Sequence, residues 1–220
     1  EWREEMGSKF TIFEPQFEEK FRYRKLPVFR NFIDPEKIFG ITDHWIRLTD
    51  LRKHHAHDIG HPLIPGREHK TRLQETNSWI RELNCELMAL HGYRESFKQI
   101  RSASLRESEV AMAMTLAQSY LDYEDRDKKE DYHIASTVLV TYLLEKGSIR
   151  LEEGRFTWSD TPEVFEDIGD MLSDVQTVLI EGKAKDARRL KDMYYKPEIY
   201  KQLLVGGTYP QYTQDSTLSK

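Results

Sequence analysis

Apolar residues recur at intervals of three and four over most of this chain, the period of an amphipathic helix. The first clear stretch predicts a helix over residues 43–60, with Thr42 or Asp43 as N-cap and Trp45, Leu48, Leu51 and His55 along one side. Gly60 and Pro62 mark where it frays, and the run from Pro62 to Arg67 reads as a loop. A second helix is predicted over 70–91, with Leu73, Trp79, Leu83, Leu87 and Leu90 on its apolar side and Gly92 as a C-cap. Residues 105–122, rich in Ala and Met, predict a third. The charged run from Asp122 to Asp131 then reads as a solvated loop or helix end. A fourth helix over 131–146 stops at Gly147. Ser148–Leu151, a turn at Glu152-Glu153-Gly154, and Arg155–Trp158 predict two short strands. Pro162 opens another helix, whose core face holds Val164, Ile168, Met171, Leu172, Val175, Val178 and Leu179. Gly182 breaks it, and a short helix over 184–195 follows. The pattern predicts a mostly α fold with one small β-hairpin.

The two ends differ from this middle. Residues 1–40 carry Phe10, Phe13, Phe17, Phe21, Tyr23, Phe29, Phe32 and Phe39, interrupted by Pro15, Pro27 and Pro35. They are expected to form an irregular aromatic-rich segment of short elements wrapped on the core, or the remnant of a larger lobe. Residues 206–220, rich in Gly, Thr, Ser and Gln, are expected to be a flexible tail. Residues 41–205 are left as the helical domain. With 220 residues there is material for one large domain, or for one domain with a small annexe.

Composition removes several function classes. Thirty-three basic residues against 38 acidic ones give a net charge of −5, which argues against nucleic acid as a partner, since phosphate binding needs a basic surface. No window approaches eighteen apolar residues, so no membrane span or membrane partner is expected. No charged-then-apolar leader is expected either. A single cysteine, Cys85, excludes an internal disulfide and any multi-thiolate metal site, and fits a reducing, cytoplasmic compartment. Cys85 is expected to be a small packing residue. The chain begins Glu1-Trp2-Arg3 without Met and is expected to be a processed product or a piece of something longer.

The densest chemical signal is His54-His55-Ala56-His57-Asp58-Ile59-Gly60-His61. His57 and His61 are four apart, so on a helix they leave the same face one turn apart and can grip one metal ion. Asp58 adds a carboxylate, giving a His-Asp-x-x-His version of the His-Glu-x-x-His zincin pattern, in which the acid takes a proton from water activated by the metal. A catalytic zinc needs a third protein ligand and an open position. Glu82 and Glu86, also four apart, lie on the predicted 70–91 helix, 21 and 25 residues after His61. If that helix packs back on the first, Glu82 becomes the third ligand. Glu86 then holds a ligand histidine by its free ring N–H. On that reading 41–205 is expected to be a zincin-like, metal-binding helical domain with a divalent cation, zinc first among them, as cofactor; otherwise the histidines and glutamates are polar surface residues, with Glu82 and Glu86 paired to Arg81 or Arg94.

These residues resemble the gluzincin metallopeptidases, in which a His-Glu-x-x-His helix is followed by a Glu-x-x-x-Glu or Glu-x-x-x-Asp helix. The C-terminal half narrows the resemblance. The stretch from Asp131 through His133 to Leu143-Leu144-Glu145-Lys146-Gly147 looks like a helix of the dipeptidyl peptidase III family (M49 and its Nudix-linked relatives). The hairpin with Gly154 and Phe156, the run Glu181-Gly182-Lys183-Ala184 and then Tyr194 follow in the same order, so the likeness spans about residues 50–196. It implies His57, His61 and Glu82 as zinc ligands, Glu86 as the outer carboxylate, Asp58 as general base and His133 as the donor that stabilises a developing oxyanion. The implied activity is zinc-dependent hydrolysis of an amide, peptide or related acyl bond, on a small-molecule or peptide substrate.

The chain also departs from that family. The family has one more residue between its histidines. Its base is Glu, and the shorter Asp58 draws the carboxylate back by a distance that can cost on the order of a hundredfold in rate. An arginine one turn after the family histidine is Thr137 here, and the insert between the two site helices is much shorter. The large second lobe that shapes the family's cleft has no counterpart in these 220 residues, so a missing lobe or a partner chain is expected to complete it.

Two rival readings stand beside this one. His57-Asp58 also reads as the His-Asp helix of HD-domain phosphohydrolases, with His44 upstream and Asp122 or Asp125 downstream as further ligands. The third ligand discriminates: Glu82 for the gluzincin, an Asp near 122 for the HD enzyme. The other rival is a non-catalytic helical interaction module with a residual metal site.

Overall fold

The computed structural model describes residues 14–63, 68–97 and 104–203. The expected tail at 206–220 and the first aromatic residues, Phe10 and Phe13, lie outside them. Among the described residues the architecture is helical with one two-stranded antiparallel sheet, as the pattern predicts.

The N-terminal stretch differs from expectation. Helix α1 (Glu14–Lys20), a π turn (Phe21–Lys25) and α2 (Leu26–Phe32) form one continuous helical run, although residues 1–40 were expected to be irregular. Pro15 occupies the second position of α1, where a helix makes no use of the missing N–H. The π turn ends two residues before Pro27, where the ladder must open because proline supplies no donor and crowds the preceding turn.

Helix α3 (Asp43–Leu63) runs through Gly60 and Pro62 rather than fraying there. Its most buried side is Ile46, Thr49, Asp50, Lys53 and His57, not the expected Trp45, Leu48, Leu51 and His55. The predicted 70–91 helix is divided into α4 (Glu68–Leu73), a 3-10 turn (Gln74–Thr76) and α5 (Asn77–Phe97). Gln74 has φ 51°, and the Thr76 hydroxyl donates to the Leu73 carbonyl at 2.6 Å, which turns the chain before α5 begins. Arg72 then caps a neighbouring helix by donating to the carbonyls of Leu179 and Gly182, both at 2.7 Å. Gly92 is not a cap, since α5 continues past it.

Helix α6 (Ser104–Glu124) and α7 (Glu130–Lys146) come next, and α7 ends at Gly147 (φ 82°), whose N–H reaches the Leu144 carbonyl. From His133 to Leu143 every residue of α7 is buried, as expected of a helix surrounded by protein. Strands β1 (Arg150–Glu152) and β2 (Arg155–Thr157) pair with Leu151 opposite Phe156. Their turn places Glu153 and Gly154 at φ 50° and 74°, the two left-handed positions of a tight hairpin. Phe156 is buried, and the Asp34 N–H donates to its carbonyl at 3.0 Å, tying the end of α2 to the hairpin. Helix α8 (Thr161–Ile180) buries the predicted face except Val178, which is half-buried. Helices α9 (Ala184–Tyr194) and α10 (Ile199–Leu203) close the described chain.

Helix α5 is the hub: it packs against α3, α6, α7 and α8. The α3–α5 contact decides the chemistry, because it brings the two polar motifs face to face. No helix among the described residues is long and apolar enough to cross a membrane.

Candidate metal centre

Along α3, Lys53, His57 and His61 stand four apart and share one stripe; along α5, so do Glu82 and Glu86. The helices approach closely where Gly60 meets Cys85. A Cβ on Gly60 would lie 3.2 Å from both the Cα and the Sγ of Cys85. Glycine at that crossing lets the short carboxylates reach the imidazoles.

The His57 ring bridges both glutamates. Its Nε2 is 3.2 Å from Glu82 Oε2 and its Nδ1 is 3.1 Å from Glu86 Oε2. His61 Nε2 lies 3.5 Å from the same Glu82 oxygen. One ligand atom each from His57, His61 and Glu82 fall within 4.8 Å of one another, the sole such group of histidines, cysteines and acids among the described residues. Two ligands about 2.0–2.1 Å from one tetrahedral zinc are themselves roughly 3.3–3.4 Å apart. The separations of 3.2 and 3.5 Å about Glu82 are close to that figure, so the group could hold a metal ion.

The electrostatics support the same division of roles. Burial opposes a charge on His57, but hydrogen bonds to Glu82 and Glu86 outweigh it and raise its pKa to about 9. Metal-free, the ring is therefore an imidazolium bridging two carboxylates, and a metal would take the place of the Nε2 proton. Burial also works against the Glu86 carboxylate, yet the Lys53 ammonium and His57 hold it well below the ordinary range. Lys53 is buried against Glu86 Oε1 and donates to Thr115 Oγ1 at 3.0 Å; Thr115 donates to Glu86 at 2.7 Å. The outer carboxylate is thus locked from a third helix. Burial, then Glu82, pushes the Cys85 thiol up to about 12, which leaves it an inert packing group.

His57, Asp58, Glu82 and Glu86 line a cavity of about 190 Å³ that also takes in Lys20, Lys25, Asp50, Lys53, Asp122, Lys129 and Tyr132. Asp58 is half-exposed on its rim, 3.9 Å from His54. The structure does not bring His133 there. His133 is buried among Tyr123, Tyr195 and Tyr200, with ring centroids 5.0 to 6.4 Å apart within that cluster, and its Nδ1 lies 3.2 Å from the Thr137 hydroxyl. Successive helical residues point about 100° apart, so it is Tyr132 that reaches the cavity. Burial, then the charge of Glu82, raises the Tyr132 hydroxyl to about 12, keeping it a donor at neutral pH.

Burial, then Arg126 and Lys191, lowers His133 to about 4. The unfolded chain therefore binds a proton near pH 6.5 that the folded chain refuses until about pH 4. This contribution to stability is whole above pH 6.5 and is lost as pH falls toward 4. Urea unfolding at pH 7.5 and 5.0 is expected to show a smaller acid loss for His133→Gln than for wild type. An equal loss would refute the assignment.

The ligand set of the HD reading is not assembled. His44 sits on α3 thirteen residues before His57, about 20 Å along the same helix at 1.5 Å per residue. Asp125 pairs with Arg24 at 3.1 Å. Asp122, expected in a solvated cluster, is buried on the cavity wall but stands outside the convergent group. Of the residues that sequence reasoning missed, Lys53 was detectable, since it lies one turn before His57 on the motif's own stripe. Thr115 and Tyr132 come from α6 and α7 with no local signal.

No family model matches the sequence, and no curated protein is significantly similar to it. Its shape does match solved structures. It superimposes on DPP III from Caldithrix abyssi with a TM-score of 0.73 at 20% identity, covering 91% of this chain and 40% of that one. The dipeptidyl-peptidase III of Corallococcus sp. strain EGB gives a TM-score of 0.71 at 13% identity, over 88% of this chain and 37% of the other. The chain has the fold of part of these proteins and spans about two fifths of their length.

Proposed function

We propose that this chain holds one zinc ion through His57, His61 and Glu82, and that the site hydrolyses an amide, peptide or related acyl bond. The observation that carries this reading is the convergence of two imidazoles and a carboxylate at zinc spacing on two helices of a dipeptidyl-peptidase-III-like fold. Zinc, when bound, supplies a Lewis acid and lowers the pKa of water to about 7. Glu86, held by Lys53 and Thr115, orients His57 and keeps its Nδ1 proton in place. Asp58, on the cavity rim, accepts a proton at its carboxylate. A further lobe or a partner completes the cleft, in keeping with the greater length of the proteins whose fold it shares.

The burial of His133 away from the cavity favours a second reading, in which metal binding is kept and hydrolysis is not. Two measurements decide. Mass spectrometry of protein purified without a metal-affinity step is expected to find about one zinc per chain. Zinc-loaded protein is then expected to cleave a dipeptide and acyl-amide panel, with Asp58→Asn at least a hundredfold slower. Zinc without turnover would establish the second reading, and no zinc would refute both.

A further inference from the structure

We propose that Tyr132 is a catalytic residue of this site: its hydroxyl donates a hydrogen bond to the oxygen of the acyl group undergoing hydrolysis, the part expected of His133. This role presupposes the hydrolase reading and adds to it the group that meets the substrate oxygen. Among the described residues, four hydroxyl or amide side chains line the cavity: Thr115, Gln118, Tyr132 and Ser136. Three of them are engaged. Thr115 donates to Glu86 at 2.7 Å, Gln118 Nε2 to Asp122 at 2.8 Å and Ser136 to the His133 carbonyl at 3.3 Å. Lys25 and Lys53 are likewise held by Asp50 and Glu86. The Tyr132 hydroxyl has no hydrogen-bond partner among the described residues, so it is available to a ligand.

Its place in the fold suits that part. Tyr132, Ala135 and Ser136 stand three and four apart on α7 and form one wall of the cavity that Asp58 and Glu82 line from α3 and α5. Tyr132 is 44% exposed, so a ligand entering the cavity can reach it, whereas His133 is 2% exposed and out of reach. The Lys129 ammonium stands over the Tyr132 ring, 6.0 Å from its centroid, and gives the ring a partner on that wall. Partial burial comes first among the causes that raise the hydroxyl to about 12; the Glu82 and Asp58 charges come next, so the phenol feels the proposed ligand and the proposed base before any other charge. In the reaction, the water oxygen bonds to the acyl carbon, the proton it sheds passes to the Asp58 carboxylate, and the carbonyl electron pair moves onto the oxygen. Tyr132 holds that oxygen by a hydrogen bond and keeps its own proton. When the C–N bond breaks, the amine leaves with the proton from Asp58. A donor fixed where charge develops stabilises the transition state more than the ground state.

The test compares zinc-loaded wild type, Tyr132→Phe and His133→Gln in two ways: turnover of the dipeptide and acyl-amide panel, and calorimetric titration with a phosphonamidate dipeptide analogue, whose tetrahedral anion mimics the charge on that oxygen. Tyr132→Phe keeps the ring and removes only the hydroxyl. It is expected to lower kcat by about 10²–10³-fold, the usual cost of one such donor, with KM and zinc affinity nearly unchanged. The analogue is expected to bind it at least tenfold more weakly than wild type, as for loss of a hydrogen bond to a charged group. His133→Gln is expected to retain wild-type kcat and analogue affinity. Wild-type turnover with an unchanged kcat in Tyr132→Phe would overturn the role and leave the hydrolase reading standing. Equal analogue affinity in wild type and Tyr132→Phe, no analogue binding to wild type, or the same losses in a folded His133→Gln would also overturn it. No turnover in wild type, with analogue binding that still needs the hydroxyl, would uphold Tyr132 as the donor and sink the hydrolase reading.

Discussion

Glu82→Ala is expected to lower zinc affinity by two to three orders of magnitude while leaving the helical fold intact. Structural zinc sites with four protein ligands bind with about 10–16 kcal/mol, so each ligand carries roughly 2.5–4 kcal/mol, or about 10²–10³-fold. Glu82 Oε2 is also the atom on which both imidazoles converge, so its removal leaves His57 and His61 without the group that holds them together. Glu86→Gln is expected to cost less, about 10–100-fold, because it orients a ligand without being one. Chelator competition on the two variants checks the ranking. Unchanged affinity in Glu82→Ala would remove it from the ligand set. A larger effect at Glu86 would exchange the roles.

Lys25→Met is expected to destabilise the fold by about 3–5 kcal/mol, with most of that recovered in Lys25→Met/Asp50→Leu. The Lys25 ammonium donates to both carboxylate oxygens of Asp50, at 3.0 and 2.8 Å, and the two residues are only 8% and 2% exposed. Breaking such a pair strands a buried charge, whereas replacing both partners by apolar groups removes the desolvation penalty along with the attraction. The pair also joins the π turn to α3, upstream of the metal ligands. Urea denaturation of wild type, the single variant and the double variant closes the cycle. A single-variant loss below 1 kcal/mol would mean that water reaches Asp50.

The site was legible where its chemistry follows local periodicity. His57 and His61, and Glu82 and Glu86, are each four apart, so each pair shares a helix face wherever the helices end up. Misreadings arose where burial is set by neighbours distant in sequence. On α3 the larger apolar residues were assigned to the core. The structure instead buries Asp50 and Lys53, because Lys25 and Glu86 arrive from other elements to pair with them. On α7, a helix buried on all sides has no amphipathic phase to read. Nothing local could say that Tyr132, not His133, meets the cavity. The break at Gln74 has the same origin: tertiary packing holds a backbone arrangement that propensity alone disfavours.

By itself, then, the sequence determined the helical class, the hairpin, and two motifs whose residues must stand together on their own helices, because helical pitch is a local property of the backbone. Only the tertiary structure decided that the motifs face each other and that Gly60 lets them converge on a group that could hold a metal ion. It also decided which charges around the cavity find partners. Those outcomes depend on how separate helices pack, and packing is fixed by the whole set of long-range contacts at once.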